Sequence, residues 1–303
     1  MTAQPSVTAP TAVRVTFGNR ASAVGTVLCA LAVAALATAP VWGGRDDLQL
    51  LSEIYAYVAL ASLWNLLAGY AGLVSVGQQA YVGLGAYTLF ALAILFGISP
   101  LWAIPLSGMI AAAVSIPVAF LVFRLRGHYF AIGTWIVAEV FRLIASQISV
   151  LGGGSGTSLP AAIVIAIAPT RQLRDDVIYW IALGLVVAVL ALTVLLLRSR
   201  YGLALKAMRD SELAAACSGV DVKRTKLIVY IVTAFATAMI GALIFLQKLR
   251  ISPDAAFSVN DWTAFVIFIT VIGGIGRIEG RLSAPPCFSS CGRRSPTSAR
   301  SIS

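Results

Sequence analysis

Of 303 residues, 59% are hydrophobic and 11% charged, with 22 Lys and Arg against 12 Asp and Glu for a net charge of +10. That makeup excludes an ordinary soluble domain and points to a chain that crosses a membrane repeatedly. Nor does the basic balance indicate nucleic acid: the Lys and Arg residues stand in short clusters at the ends of apolar runs, where topology signals lie. The four cysteines, at 29, 217, 287 and 291, form neither a disulfide framework nor a zinc spacing.

Residues 1–21 read as a short polar arm, and Ser22 to Val41 as a first membrane helix, longer than the apolar core of a cleavable signal and followed by further spans. Apolar runs of membrane length follow at 49–68, 80–97, 101–123, 129–149, 177–197, 227–247 and 261–274. The expected fold is therefore an all-α polytopic membrane protein of about eight transmembrane helices. With the N-terminus in the cytoplasm, Arg124, Arg126 and the loop Arg198 to Lys226 fall inside, as the positive-inside rule asks. Arg171 and Arg174 fall outside but are offset by Asp175 and Asp176, while Lys248 and Arg250 are exceptions.

Leu66 to Tyr87, LLAGYAGLVSVGQQAYVGLGAY, has five glycines and two adjacent glutamines, so an unbroken lipid-facing helix is not expected. Asn65, Gly69, Gly72, Ser75, Gly77, Gln78 and Gln79 are candidates for a transport pathway, with close helix packing as the alternative. Glu139 and Arg142 share one face of the fifth span at i,i+3 spacing, as a structural ion pair or as part of the pathway. Glu53 and His128 read as interfacial side chains.

Between the spans 177–197 and 227–247, Arg198 to Lys226 carries seven basic and three acidic residues. At roughly 3 kcal/mol for each charge at mid-membrane, this segment must face water. Leu203 to Arg209 and Ser211 to Ser218 read as two short helices, with Asp210 or Ser211 as cap and Gly219 as stop. The alanine-rich second helix suits docking in a groove of a partner. The chain lacks a Walker A pattern: GGIGRIEG at 273–280 has no Lys-Ser or Lys-Thr where phosphate binding needs it. No metal-ligand cluster is evident, and no catalytic residue is assigned.

RYGLALKAMRDSELAAACSGV at 200–220 resembles the coupling loop of ABC importer permeases, although Glu212 stands one place earlier than the family's EAA-to-Gly spacing puts it. WNLLAGYAGLVSVGQQAYVGLGAY at 64–87, RLRGHYFAIGTWIVAEVFRL at 124–143, LGGGSGTSLP at 151–160 and VIGGIGRIEG at 271–280 are similar to successive blocks of the branched-chain amino acid permeases of the LivM type, rather than of their LivH-type partners. The resemblance covers about residues 50 to 280.

It implies an ABC importer permease bundle at 22–280 in the bacterial cytoplasmic (inner) membrane, with several partners besides the lipid bilayer. These are a second permease subunit of LivH type, two ATPase subunits that bind ATP and magnesium, and a periplasmic solute-binding protein. Gly202, Lys206, Arg209, Glu212, Ala214, Ala215 and Gly219 would serve ATPase coupling. The expected cargo is leucine, isoleucine and valine. A urea or short-chain amide permease is the alternative, and an ATP-independent channel or scaffold a more distant one.

Residues 281–303 depart from that family's pattern, which continues with Pro and a further apolar segment. They hold four Arg, seven Ser, three Pro and two Cys, with no acid and no apolar run. The expectation is a truncated end from a shifted reading frame, the alternative a polar tail able to touch anionic lipid.

Overall fold

The computed structural model describes residues 33–42, 44–125, 127–168 and 170–274. The arm at 1–21, most of the expected span 22–41 and the tail at 281–303 lie outside these. All that follows belongs to one compact unit, Ala37–Gly276.

Residues that cannot continue a helix, or that cap one, bound each element. A short turn, α1 (Ala39–Trp42), precedes α2 (Arg45–Asn65), which begins after Gly44. Helix α3 (Gln78–Leu95) follows Gly77, and α4 (Pro100–Val122) starts on a proline, which needs no N–H there. Gly127, at φ +57, turns the chain into α5 (His128–Gln147). Next come α6 (Ala161–Ile167) and α7 (Arg171–Arg198), the latter capped by Thr170 Oγ1, which accepts from Leu173 N–H at 3.3 Å.

The charged loop folds as α8 (Arg200–Asp210) and α9 (Glu212–Cys217). Asp221 then caps α10 (Val222–Lys248) by accepting from Arg224 N–H at 3.0 Å. A turn, α11 (Pro253–Ala256), and a π-turn at Asn260–Ala264 lead into α12 (Phe265–Gly273).

Among the described residues, seven helical segments are long and apolar enough to cross a bilayer. They coincide with the last seven expected spans, the final one starting earlier than expected, at Pro253. Strand β1 (Thr157–Ser158) pairs antiparallel with β2 (Arg250–Ile251), Thr157 opposite Ile251. This ribbon joins the C-terminal ends of α5 and α10. The charged loop joins the C-terminal end of α7 to the N-terminal end of α10, so loop and ribbon mark opposite ends of the bundle.

Helices α3 and α10 form the centre, α10 packing on both α3 and α4 while α2 packs on α7. The crossing of α3 and α10 depends on absent side chains. A Cβ on Gly85 would stand 2.0 Å from the Ala238 carbonyl oxygen, and one on Gly241 2.3 Å from that of Val82. Without a hydrophobic force between helices in lipid, such close backbone approach is what holds them. Tyr81 OH donates to Tyr230 OH at 3.0 Å across the same pair, and Tyr55 and Tyr179 join α2 to α7 at 2.9 Å. Near the ribbon, buried Trp262 stacks on Tyr57, meets Phe245 edge-on and donates from Nε1 to the Ala255 carbonyl at 2.7 Å.

Candidate functional site

Helix α2 does not stop cleanly. Leu66–Tyr70 widens into a π-turn, and the chain then unwinds from Ala71 until α3 begins at Gln78. Gly72, exposed and at φ +68, makes the turn. Open backbone within a membrane bundle is tolerated only where protein groups or a wet cavity satisfy it. Here protein does so. Trp64 Nε1 donates to the Ser75 carbonyl at 2.9 Å, Val76 N–H to Thr134 Oγ1 of α5 at 3.0 Å, and Gly77 N–H to Ser75 Oγ at 3.2 Å.

The two glutamines open the next helix inside this cluster. Gln78 Nε2 donates to the Leu60 carbonyl at 3.0 Å. Gln79 accepts at Oε1 from the Thr263 hydroxyl, and its backbone N–H donates to Thr263 Oγ1 at 3.3 Å. Gln78 is 7% exposed and Gln79 1%, yet Gln78 Oε1 and Gln79 Nε2 have no protein partner. Leaving a buried polar atom unpaired costs about 1–3 kcal/mol. The cluster thus holds one acceptor and one donor without a protein partner. Asn65, Gly69 and Ser75 are buried beside it.

The loop lies against this break, because α8 touches the π-turn Leu66–Tyr70. Ser199 Oγ accepts from Tyr201 N–H at 3.2 Å to start α8, and Ser211 Oγ accepts from Ala214 N–H at 3.3 Å to start α9. Of the two expected caps, Ser211 is therefore the one used. Gly219 leaves α9 at φ +85, the left-handed stop that glycine allows. Gly202 is buried on the end of α7, where a Cβ would meet the Leu197 carbonyl oxygen at 2.0 Å. Lys206, Arg209, Glu212 and Ala214 face outward while Ala215 is buried. Glu212 forms an ion pair with Lys226 of α10, tying α9 to the N-terminal end of that helix. Two leucines in this polar segment, Leu203 and Leu213, are 74% and 79% exposed.

Glu139 and Arg142, grouped with the pathway in the sequence, stand elsewhere. Arg142 Nε donates to Glu139 Oε1 at 2.8 Å and Nη1 to Asp254 Oδ1 of α11 at 2.9 Å. This triad lies toward the ribbon end, with Glu139 more than one turn and Arg142 more than two turns beyond Thr134, and with Asp254 82% exposed. It does not meet Gln78 or Gln79.

Thr134, Thr263 and Trp64, which satisfy the break, went unrecognised in sequence, as did Asp254. A hydroxyl within an apolar span is only a weak signal, since Ser and Thr side chains often bond their own helix, as Thr134 also does to Ala131 at 2.8 Å.

Among the described residues, seven membrane-length helices around a buried, polar break, with the first helix of a charged loop set against it, define a multi-pass membrane protein of permease build. The chain belongs to the family described as "Branched-chain amino acid transport system / permease component", whose profile matches residues 48–289.

It is 30% identical over 255 residues to the high-affinity branched-chain amino acid transport system permease protein LivM of Escherichia coli K12, covering 77% of this chain and 59% of that protein. The protein of the same description from Salmonella typhimurium LT2 is 30% identical over 271 residues, 82% and 63% of the two chains. A probable branched-chain amino acid transport permease protein LivM of Methanocaldococcus jannaschii is 26% identical over 166 residues, 54% and 47% of the two. The chain thus spans about three fifths of the length of the two bacterial relatives. No solved structure matches it significantly.

Proposed function

We propose that this chain is the transmembrane permease subunit of an ATP-binding cassette importer that carries leucine, isoleucine and valine across the bacterial inner membrane. The family match and the relatives' names support this reading. The observation that carries it is the contact between α8 and the π-turn Leu66–Tyr70. In this reading α8 and α9 dock on the ATPase subunits, which hold ATP and magnesium. Closure of those subunits displaces α8, and the displacement passes through the π-turn and the unwound segment to Gln78 and Gln79. A second permease subunit of LivH type completes the pathway, and a solute-binding protein delivers cargo at the ribbon end.

The test is uptake in proteoliposomes holding this chain, its companion permease, the ATPases and the binding protein. ATP-dependent leucine accumulation, blocked by excess unlabelled leucine and abolished by deleting Ser211 to Gly219, is the expected result. Block by urea but not by leucine moves the assignment to an amide permease. Accumulation that ignores both ATP and the deletion overturns it.

A further inference from the structure

Of the basic residues at the ribbon end, Lys248 and Arg250 were the exceptions to the charge rule and Arg171 and Arg174 were offset by Asp175 and Asp176, and the structure accounts for them unequally. The Lys248 ammonium lies 5.0 Å from the Trp262 ring centre and 5.7 Å from that of Phe245, a cation–π arrangement. Arg250 sits on the two-stranded ribbon opposite Ser158. Arg171 and Arg174 are different, because both line a cavity of about 560 Å³ between α6 and the first turn of α7.

The remaining wall of that cavity is largely apolar, including Leu159, Val164, Ile165 and Leu249. Arg174 is mostly buried, its side chain 12% exposed, and its Nε has no hydrogen-bond partner. Its nearest carboxylate oxygen, on Asp175, is 3.6 Å from Nη2, an ion pair too long for a good hydrogen bond. The positive end of the α7 macrodipole lies beside it. A buried guanidinium donor without an acceptor is costly unless an anion completes it.

Helix α6 indicates what kind of anion. Its seven residues, AAIVIAI, carry no polar side chain, and none is buried in the protein; Ile165 is 62% exposed. Such a helix is too short to cross a bilayer and too apolar for water, so it lies in the acyl region near the interface. The cavity beside it therefore faces lipid, with two arginines at the level of α7's entry into the membrane.

We propose that this cavity holds one phospholipid with an anionic headgroup, its phosphate on Arg171 and Arg174 and an acyl chain along Val164, Ile165 and Leu249. With the charged loop in the cytoplasm, this lipid belongs to the outer leaflet. The inference needs α7 to cross a bilayer and α6 to lie at its surface, with the leaflet following from the cytoplasmic loop, and is independent of the cargo.

Native mass spectrometry of the full chain in mild detergent, mixed with phosphatidylglycerol and phosphatidylcholine of identical acyl chains, tests it. The expected result is one retained phosphatidylglycerol, preferred by about tenfold, with the preference lost in the R171Q/R174Q double variant and kept in R174K. Equal retention of the two lipids overturns the proposal. That comparison uses the wild-type chain alone and stands even if the double variant misfolds. Undiminished preference in a folded double variant also overturns it. A second arm compares the rise in Tm given by phosphatidylglycerol and by inorganic phosphate: an equal rise means the site takes a free anion, and the lipid assignment falls.

Discussion

Val76 and Thr134 lie 58 positions apart in the chain, yet the amide of the first donates to the hydroxyl of the second at 3.0 Å. That bond anchors the unwound segment to α5, and Gly77 presses on the same turn, where a Cβ would stand 2.4 Å from the Thr134 carbonyl oxygen. The substitution T134V keeps the shape of the side chain and removes the acceptor. We expect a loss of about 1–3 kcal/mol, read as a lower thermal midpoint in detergent, with T134S near wild type. Equal midpoints for T134V and wild type would mean the break is held by other contacts.

The α3–α10 crossing is expected to be the least tolerant part of the bundle. G85V and G241V each put atoms into a carbonyl oxygen of the facing helix and should lose several kcal/mol, visible as aggregation on size-exclusion chromatography. Gly184 in α7 has nothing within 4 Å of an added Cβ, so G184A should elute as wild type.

Glu212 and Lys226 form the tie between α9 and α10. The carboxylate is about half exposed, so its contribution to stability is small, about 0.2–1 kcal/mol. Under the proposed function, the larger effect of E212K is expected on ATP-dependent uptake, through loss of the orientation of α9. Restored uptake in the charge-swapped pair E212K/K226E is the expected signature, and no recovery would assign Glu212 to a contact outside this chain.

Leu213 has no packing role that its exposure allows, so L213D should leave thermal stability within about 0.5 kcal/mol of wild type. Under the proposed function it should also weaken capture of the ATPase subunits about tenfold, as expected when a buried apolar anchor is lost from an interface. Unchanged capture by pull-down would remove Leu213 from the docking face.

The buried glutamines separate a transport role from a packing role. Gln79 joins α3 to Thr263, so Q79L should destabilise modestly. Q79E keeps an acceptor for Thr263 but replaces the unpaired Nε2 donor. Because Gln79 is 1% exposed, a carboxyl there should lower the thermal midpoint; under the proposed function, a raised KM for leucine as well is the expected pattern if the pathway passes this side chain. A fall in midpoint with unchanged KM would make it structural.

Much of this was legible along the chain. Long apolar runs marked the last seven spans, and the charge density of Arg198 to Lys226 marked the loop. Glycines and glutamines near 66–79 signalled a break, now located at Ala71 to Gly77, and α3 begins at Gln78, just before the expected span at 80–97. Glu139 and Arg142 pair with each other and with Asp254 rather than with the glutamines, since the i,i+3 spacing that paired them carries no information about which end of the bundle they occupy.

The sequence by itself determined which segments can enter hydrocarbon and which must stay in water, because that choice is made locally, residue by residue, through the cost of burying charge. Only the tertiary structure decided that Thr134 and Thr263 satisfy the break, that Asp254 completes the Arg142 pair, and that α8 rests on the π-turn. Those contacts join residues 58, 184 and 112 positions apart. Their existence depends on how helices cross, and helix crossing is set by the mutual fit of surfaces that no periodicity in a single chain encodes.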